Sequence, residues 1–122
     1  MTTNPINSTG NSYSQAYAIH DFKELVFISG QVPETIEGII PATFDDQCRL
    51  AWKNVEIQLN NAGMTLENLV KITVFLSGRE YREANARIRK ELLGSISPAL
   101  TIIITGIYDE KWLLEIEAIA GR

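Results

Sequence analysis

Between Ser97 and Ala120 the chain has little freedom in its secondary structure. Pro98 opens a run, Ala99-Leu100-Thr101-Ile102-Ile103-Ile104-Thr105, whose β-branched side chains suit a pleated surface better than a helix. Gly106 ends it. From Trp112 to Ala120 the residues alternate, with Leu114, Ile116, Ala118 and Ala120 on one face and Leu113, Glu115, Glu117 and Ile119 on the other. The expectation is two strands joined by a polar turn. Two carboxylates among large apolar groups make that second face either plain solvent-facing surface or the wall of a ligand cleft.

At 122 residues the chain is the length of one domain, 1–122, with residues 1–12 as a mobile polar lead-in. No apolar run approaches the roughly 20 residues that span a bilayer, and the start lacks the basic and apolar segments of a signal peptide. Together with a single cysteine, Cys48, this points to the reducing cytoplasm. A net charge of −4 disfavours a nucleic-acid partner. One histidine, His20, and no cysteine cluster exclude a zinc site, and there is no glycine-rich phosphate loop, so neither metal nor cofactor is expected.

Ahead of this region, Tyr13–Ile19 and Glu24–Ser29 read as a hairpin closed by His20-Asp21-Phe22-Lys23. Ser29-Gly30-Gln31-Val32-Pro33 breaks its second strand, either as a simple exit or as a pocket lining. Thr43 caps a helix whose buried stripe is Phe44, Cys48, Ala51, Val55, Leu59 and Ala62, and Gly63 stops it. Cys48 on that stripe reads as a small core residue rather than a nucleophile. Leu69–Leu76 is a strand with Val70, Ile72, Val74 and Leu76 on one side. A second helix, from about Glu80 to Leu93, turns Tyr81, Ala84, Ile88 and Leu92 inward with Asn85 among them, and its arginines, Lys90 and glutamates form a solvated face. Asn85 either fixes a neighbouring strand end or meets a ligand. The order is an α+β fold, β-β-α-β-α-β-β, with two helices on one face of a mixed sheet. Leu100, Ile102, Ile104, Leu113 and Ile119 are assigned to the other face, which is too apolar to leave in water and calls for self-association.

Several segments in the right order resemble the Rid family, also called YjgF or L-PSP proteins. They are Tyr13-Ser14-Gln15-Ala16, Phe27-Ile28-Ser29-Gly30-Gln31-Val32-Pro33, Trp52-Lys53-Asn54-Val55 with Ala62-Gly63, Val70–Leu76, Tyr81 with Asn85, Ser97-Pro98-Ala99 and Glu115–Ala120. The resemblance implies a chorismate-mutase-like fold, a homotrimer and small-molecule clefts between subunits. It also implies pocket residues at Tyr13, Ser29, Gly30, Asn85 and Glu115. In the deaminase branch an arginine follows Pro-Ala and holds a substrate carboxylate; this chain has Leu100 there, and Ile102 where that branch commonly has cysteine. Leucine supplies neither the charge nor the donors of an arginine fork.

Three functions compete on this reading. One is an imine or enamine hydrolase acting on something other than 2-aminoacrylate, with Glu115 and Ser29 as its catalytic groups and Tyr13, Gly30, Asn85, Leu100 and Ile102 around the ligand. Leu100 and Ile102 are expected beside Glu115, giving a cleft that prefers neutral or cationic ligands. A second is a trimeric binding protein that kept the cleft and lost the reaction. The third is an endoribonuclease or translation inhibitor, placed last because the acidic balance and single histidine suit RNA poorly.

Overall fold

Alternation and helical periodicity carry over into most of the elements. The computed structural model describes residues 1–122. Its elements are β1 (Thr2–Ser8), β2 (Ser14–His20), β3 (Leu25–Gln31), α1 (Phe44–Asn61), β4 (Leu69–Leu76), α2 (Arg82–Leu93), β5 (Ala99–Ile104) and β6 (Leu114–Gly121). Short 3-10 turns, Leu66–Asn68 and Arg79–Tyr81, lead into β4 and α2. The strands form one mixed six-stranded sheet in the order β1-β2-β5-β4-β6-β3, the layered α+β plan of the chorismate-mutase-like fold. No helix is long and apolar enough to cross a membrane.

α1 begins where the sequence requires it. The Thr43 side chain accepts a hydrogen bond from the Asp46 N–H at 3.2 Å, Asp45 and Asp46 face the positive helix end, and Gly63 turns the chain at φ +75°. Phe44, Cys48, Ala51, Trp52, Val55 and Leu59 from α1 pack with Ile88 and Leu93 from α2 on one sheet face. That face presents Ile28, Ile72, Val74, Leu76, Leu114, Ile116, Ala118 and Ala120. Each Val, Leu, Ile or Phe among them contributes about 1.5–3 kcal/mol when fully buried, so this layer is the core of the fold.

Pairing differs from the expectation at several points. β2 and β3 form no hairpin: β2 pairs antiparallel with β1, and β3 pairs antiparallel with β6. Asp21 takes a left-handed turn at φ +55°, and the Lys23 and Glu24 N–H groups both donate to the Arg122 carbonyl, which fastens the start of β3 to the end of β6. Residues 2–8, read as a lead-in, form strand β1, exposed at the side chains and paired through its backbone with β2. β5 and β6 are not neighbours, since β4 lies between them, parallel to β5 and antiparallel to β6. A register shift between Leu69 and Lys71 buries Leu69 rather than Val70. On α2 the buried residues are Asn85, Ile88, Arg89 and Leu93, while Leu92 is exposed.

The face assignment of β5 is reversed. Leu100, Ile102 and Ile104 pair with Ile72, Val74 and Leu76, whose side chains lie under the helices, so all three point to the helix side. Leu100 and Ile104 pack against the core, whereas Ile102 between them is 41% exposed. Leu113 also packs on the core. The open face instead carries Phe27, Lys71, Thr73, Phe75, Thr101, Ile103, Glu115, Glu117 and Ile119. A run of consecutive β-branched residues in β5 has no alternation to fix which side is inward, and only the pairing with β4 decides it.

Candidate functional site

Alternation in β6 turns Glu115 onto the open face, opposite Phe75 of β4 and, one strand further, Ile103 of β5. β3 breaks its register with β6 between Ile28 and Gln31, which leaves Ser29 and Gly30 without register partners there. The Glu115 side chain lies directly against Gly30, where a methyl group would overlap its carboxylate. Gly30 is needed at this point because the carboxylate closes on bare backbone. Glu115 is half-buried and takes part in no ion pair; it lines a cavity of about 540 Å³ with Phe75, Thr105, Gly106, Ile107 and Tyr108. Ser29 is exposed and borders a separate depression of about 210 Å³ with Phe27, Gly30, Glu117 and Ile119. An apolar wall and one free carboxylate can hold a cationic or neutral group, or hold a water molecule against a bound electrophile.

The remaining predicted residues lie elsewhere in the chain. Tyr13 precedes β2, which meets β5 only at Ser14 and Ala99. Three strand spacings separate β2 from β6, at least about 14 Å. Tyr13 carries the Arg89 guanidinium over its ring, 5.7 Å from the centroid. Asn85 is fully buried, and neither its amide oxygen nor its nitrogen has a partner. Leu100 and Ile102 sit on the sheet face opposite Glu115, so in one chain they are not its neighbours. The chain thus seats Glu115 against Gly30, leaves Ser29 at the adjoining depression, and places Tyr13 with α2 elsewhere.

Two residues that position these places escaped the sequence reading. Gln47, buried on α1, donates from Nε2 to the Pro41 and Lys111 carbonyls at 2.9 and 3.0 Å and accepts from the Leu113 N–H at 2.8 Å. It fixes the β5–β6 connection that forms the Glu115 cavity. Its place one residue before Cys48, beside the apolar stripe, was the available signal. Arg89 was assigned to the solvated face but is only 4% exposed; its spacing of four from Asn85 puts it on the buried stripe. Cys48 is fully buried as expected, and burial pushes its thiol up to about 12, with Asp45 adding to the shift, so it stays protonated at neutral pH. No cluster of three or more His, Cys, Asp or Glu side chains is arranged to hold a metal ion.

The fold and this cleft define a small α+β protein with a carboxylate-bearing pocket on an open sheet face. The chain belongs to the family described as Endoribonuclease L-PSP, whose model matches residues 2–121, the Rid/YjgF proteins. It is 34% identical over 129 residues to the protein mmf2, mitochondrial, of Schizosaccharomyces pombe, covering 100% of both chains. It is 31% identical over 106 residues to a protein of Escherichia coli named reactive intermediate deaminase TdcF, covering 84% of this chain and 82% of that one. The crystal structure of E. coli TdcF with bound serine superposes with a TM-score of 0.77 at 28% identity, covering 98% and 99% of the two chains. The Rid protein YyfB of Yersinia pestis superposes with a TM-score of 0.86 over 100% of both chains; at 20% identity it speaks for the fold alone.

Proposed function

We propose that this chain is an imine or enamine hydrolase whose substrate carries no carboxylate at the reacting end, with Glu115 as the working group. The observation that carries this reading is the Glu115 carboxylate, seated on Gly30 and opening without a paired cation into an apolar cavity of about 540 Å³. There it orients water and accepts its proton as oxygen adds to the imine carbon. The proton is passed to nitrogen, giving a carbinolamine; the carboxylate then takes the hydroxyl proton and delivers it to the amino group as the C–N bond breaks, so that ammonia leaves a carbonyl product. The relative named as a deaminase supports the reaction class, and Leu100 in place of an arginine argues for a different substrate.

A homotrimer belongs to the same reading. It would bring the Tyr13 and Asn85 region of one subunit toward the Ser29, Gly30 and Glu115 region of the next. Phe27, 72% exposed, Ile103 and Ile119 supply apolar surface on the open face. A cytoplasmic location is part of the proposal, and the relative named as mitochondrial makes that organelle the alternative to check.

The decisive experiment follows ammonia release from paired imines that differ only in carrying a carboxylate or an amide. The amide member should turn over at least about tenfold faster, and Glu115→Gln should lower its rate by about 10²-fold. Release of ammonia from 2-aminoacrylate at the rate of an arginine-bearing relative would reject the proposed substrate class. Saturable binding of these compounds without ammonia release from any of them would favour the second reading, a non-catalytic binding protein. Leu100, which offers no charge where the deaminase branch has its clamp, is the observation that keeps it standing. A ribonuclease role is disfavoured by the net charge of −4, the single histidine and the two carboxylates, Glu115 and Glu117, on the open face.

A further inference from the structure

The least compensated buried charge in the chain lies away from Glu115. Arg89 donates from Nη2 to the Asn11 carbonyl at 3.3 Å and rests on the Tyr13 ring, while Nε and Nη1 are buried without a partner. No carboxylate pairs with it: the ion pairs are Arg49–Glu91, Lys53–Glu56, Arg87–Asp45, Arg87–Glu91 and Arg122–Glu24. Burial pushes the Arg89 guanidinium below its ordinary range, and only Tyr13 and Cys48 act the other way. A buried cation with one long hydrogen bond and no counter-ion is strongly unfavourable unless something outside the chain balances it.

A groove of about 390 Å³ opens at this residue. It is lined by Asn11, Tyr13, Ala86, Arg87, Arg89 and Lys90, three cations and no acid. Arg87 is committed to Asp45 and Glu91, but Lys90 is exposed and belongs to no ion pair. Asn85, one helical turn before Arg89, and Ser14, next to Tyr13, are buried polar residues whose side chains also lack partners. Such groups mark a place where hydrogen-bonding capacity has been left open.

We propose that this groove, between α2 and the segment entering β2, binds a small oxyanion through Arg89 and Lys90, with the Tyr13 ring as its floor. A carboxylate and a phosphate group share the required chemistry, a compact negative charge with several acceptor oxygens. Its position beside Glu115 of a neighbouring subunit rests on the trimer proposed above, but its cations, Arg89 and Lys90, belong to this chain alone and bind the anion whether or not Glu115 is catalytic.

Calorimetric titration of the full chain with inorganic phosphate, and separately with acetate, tests it, with chloride holding the ionic strength constant. Saturable binding of one anion or both is expected, and the tighter one identifies the ligand class. Arg89→Met should weaken it about 10- to 100-fold, the loss of a charged hydrogen bond, and Lys90→Ala by a few-fold. Thermal melts provide a second readout. Without anion, Arg89→Met should melt at or above the wild-type temperature, because it removes an unbalanced buried charge, and added phosphate or acetate should raise only the wild-type value. Absence of saturable binding of either anion, or unchanged affinity in Arg89→Met, overturns the site. Should Arg89→Met fail to fold, Lys90→Glu decides: it must abolish binding, and retained affinity rejects the proposal.

Discussion

Gly30 and Glu115 divide one task between them, since the carboxylate can lie where it does only because its neighbour has no side chain. The carboxylate end of Glu115 is a flexible group, so a methyl at Gly30 displaces it at little cost to the fold. Gly30→Ala should therefore change stability by less than about 1 kcal/mol while weakening cleft ligands or turnover about tenfold. Melting temperature and ligand titration on the same sample check this; a large stability loss would show that backbone conformation, not the contact, requires glycine. The orientation of Glu115 was legible because β6 alternates strictly, and a period of two fixes a face. Arg89 was not legible, because a charged residue defaults to the surface and only its spacing from Asn85 hinted otherwise.

Among the elements, α1 does more than cover the sheet. Through Gln47 it holds the Pro41 carbonyl, the Lys111 carbonyl and the Leu113 N–H at once, tying both flanking loops to one helical side chain. Gln47→Leu preserves approximate size but strands these three backbone groups, so a loss of about 1–3 kcal/mol is expected in urea denaturation. Proteolytic cleavage should then appear first between Thr105 and Lys111, the connection that walls the Glu115 cavity. Unchanged stability would mean that water satisfies these groups. Helix starts, such as Thr43, could be read because capping is local, and so could the strand at Leu69–Leu76. Strand partners could not. His20–Lys23 has the length of a hairpin turn, yet β3 joins β6, nearly ninety residues later in the chain, because that pairing is settled by contacts no local pattern encodes.

For the whole molecule, the open sheet face is the surface that the proposed trimer would bury. Phe27 lies on the edge strand β3 and contributes little to the single chain's core, so Phe27→Asp should leave the isolated fold intact. In the proposed trimer the same change introduces a charge into the apolar contact. Sedimentation velocity should show the wild-type trimer giving way to monomer, and a wild-type chain that sediments as a monomer at micromolar concentration would refute the assembly. The layer plan was legible from the order of elements, whereas the face that stays open was not, since β5 alone does not say which of its sides is inward. At its other margin the sheet is joined differently. The β1–β2 ribbon is linked to β5 by the Ser14–Ala99 pairing and the Ser14 N–H donating to the Pro98 carbonyl, whereas β4 and β5 match along six consecutive residues. So sparse a seam lets the ribbon lift as a unit while the rest stays folded, and amide protons of β1 and β2 should take up deuterium long before those of Ile72, Val74 and Ile116, which wait for the whole chain to open.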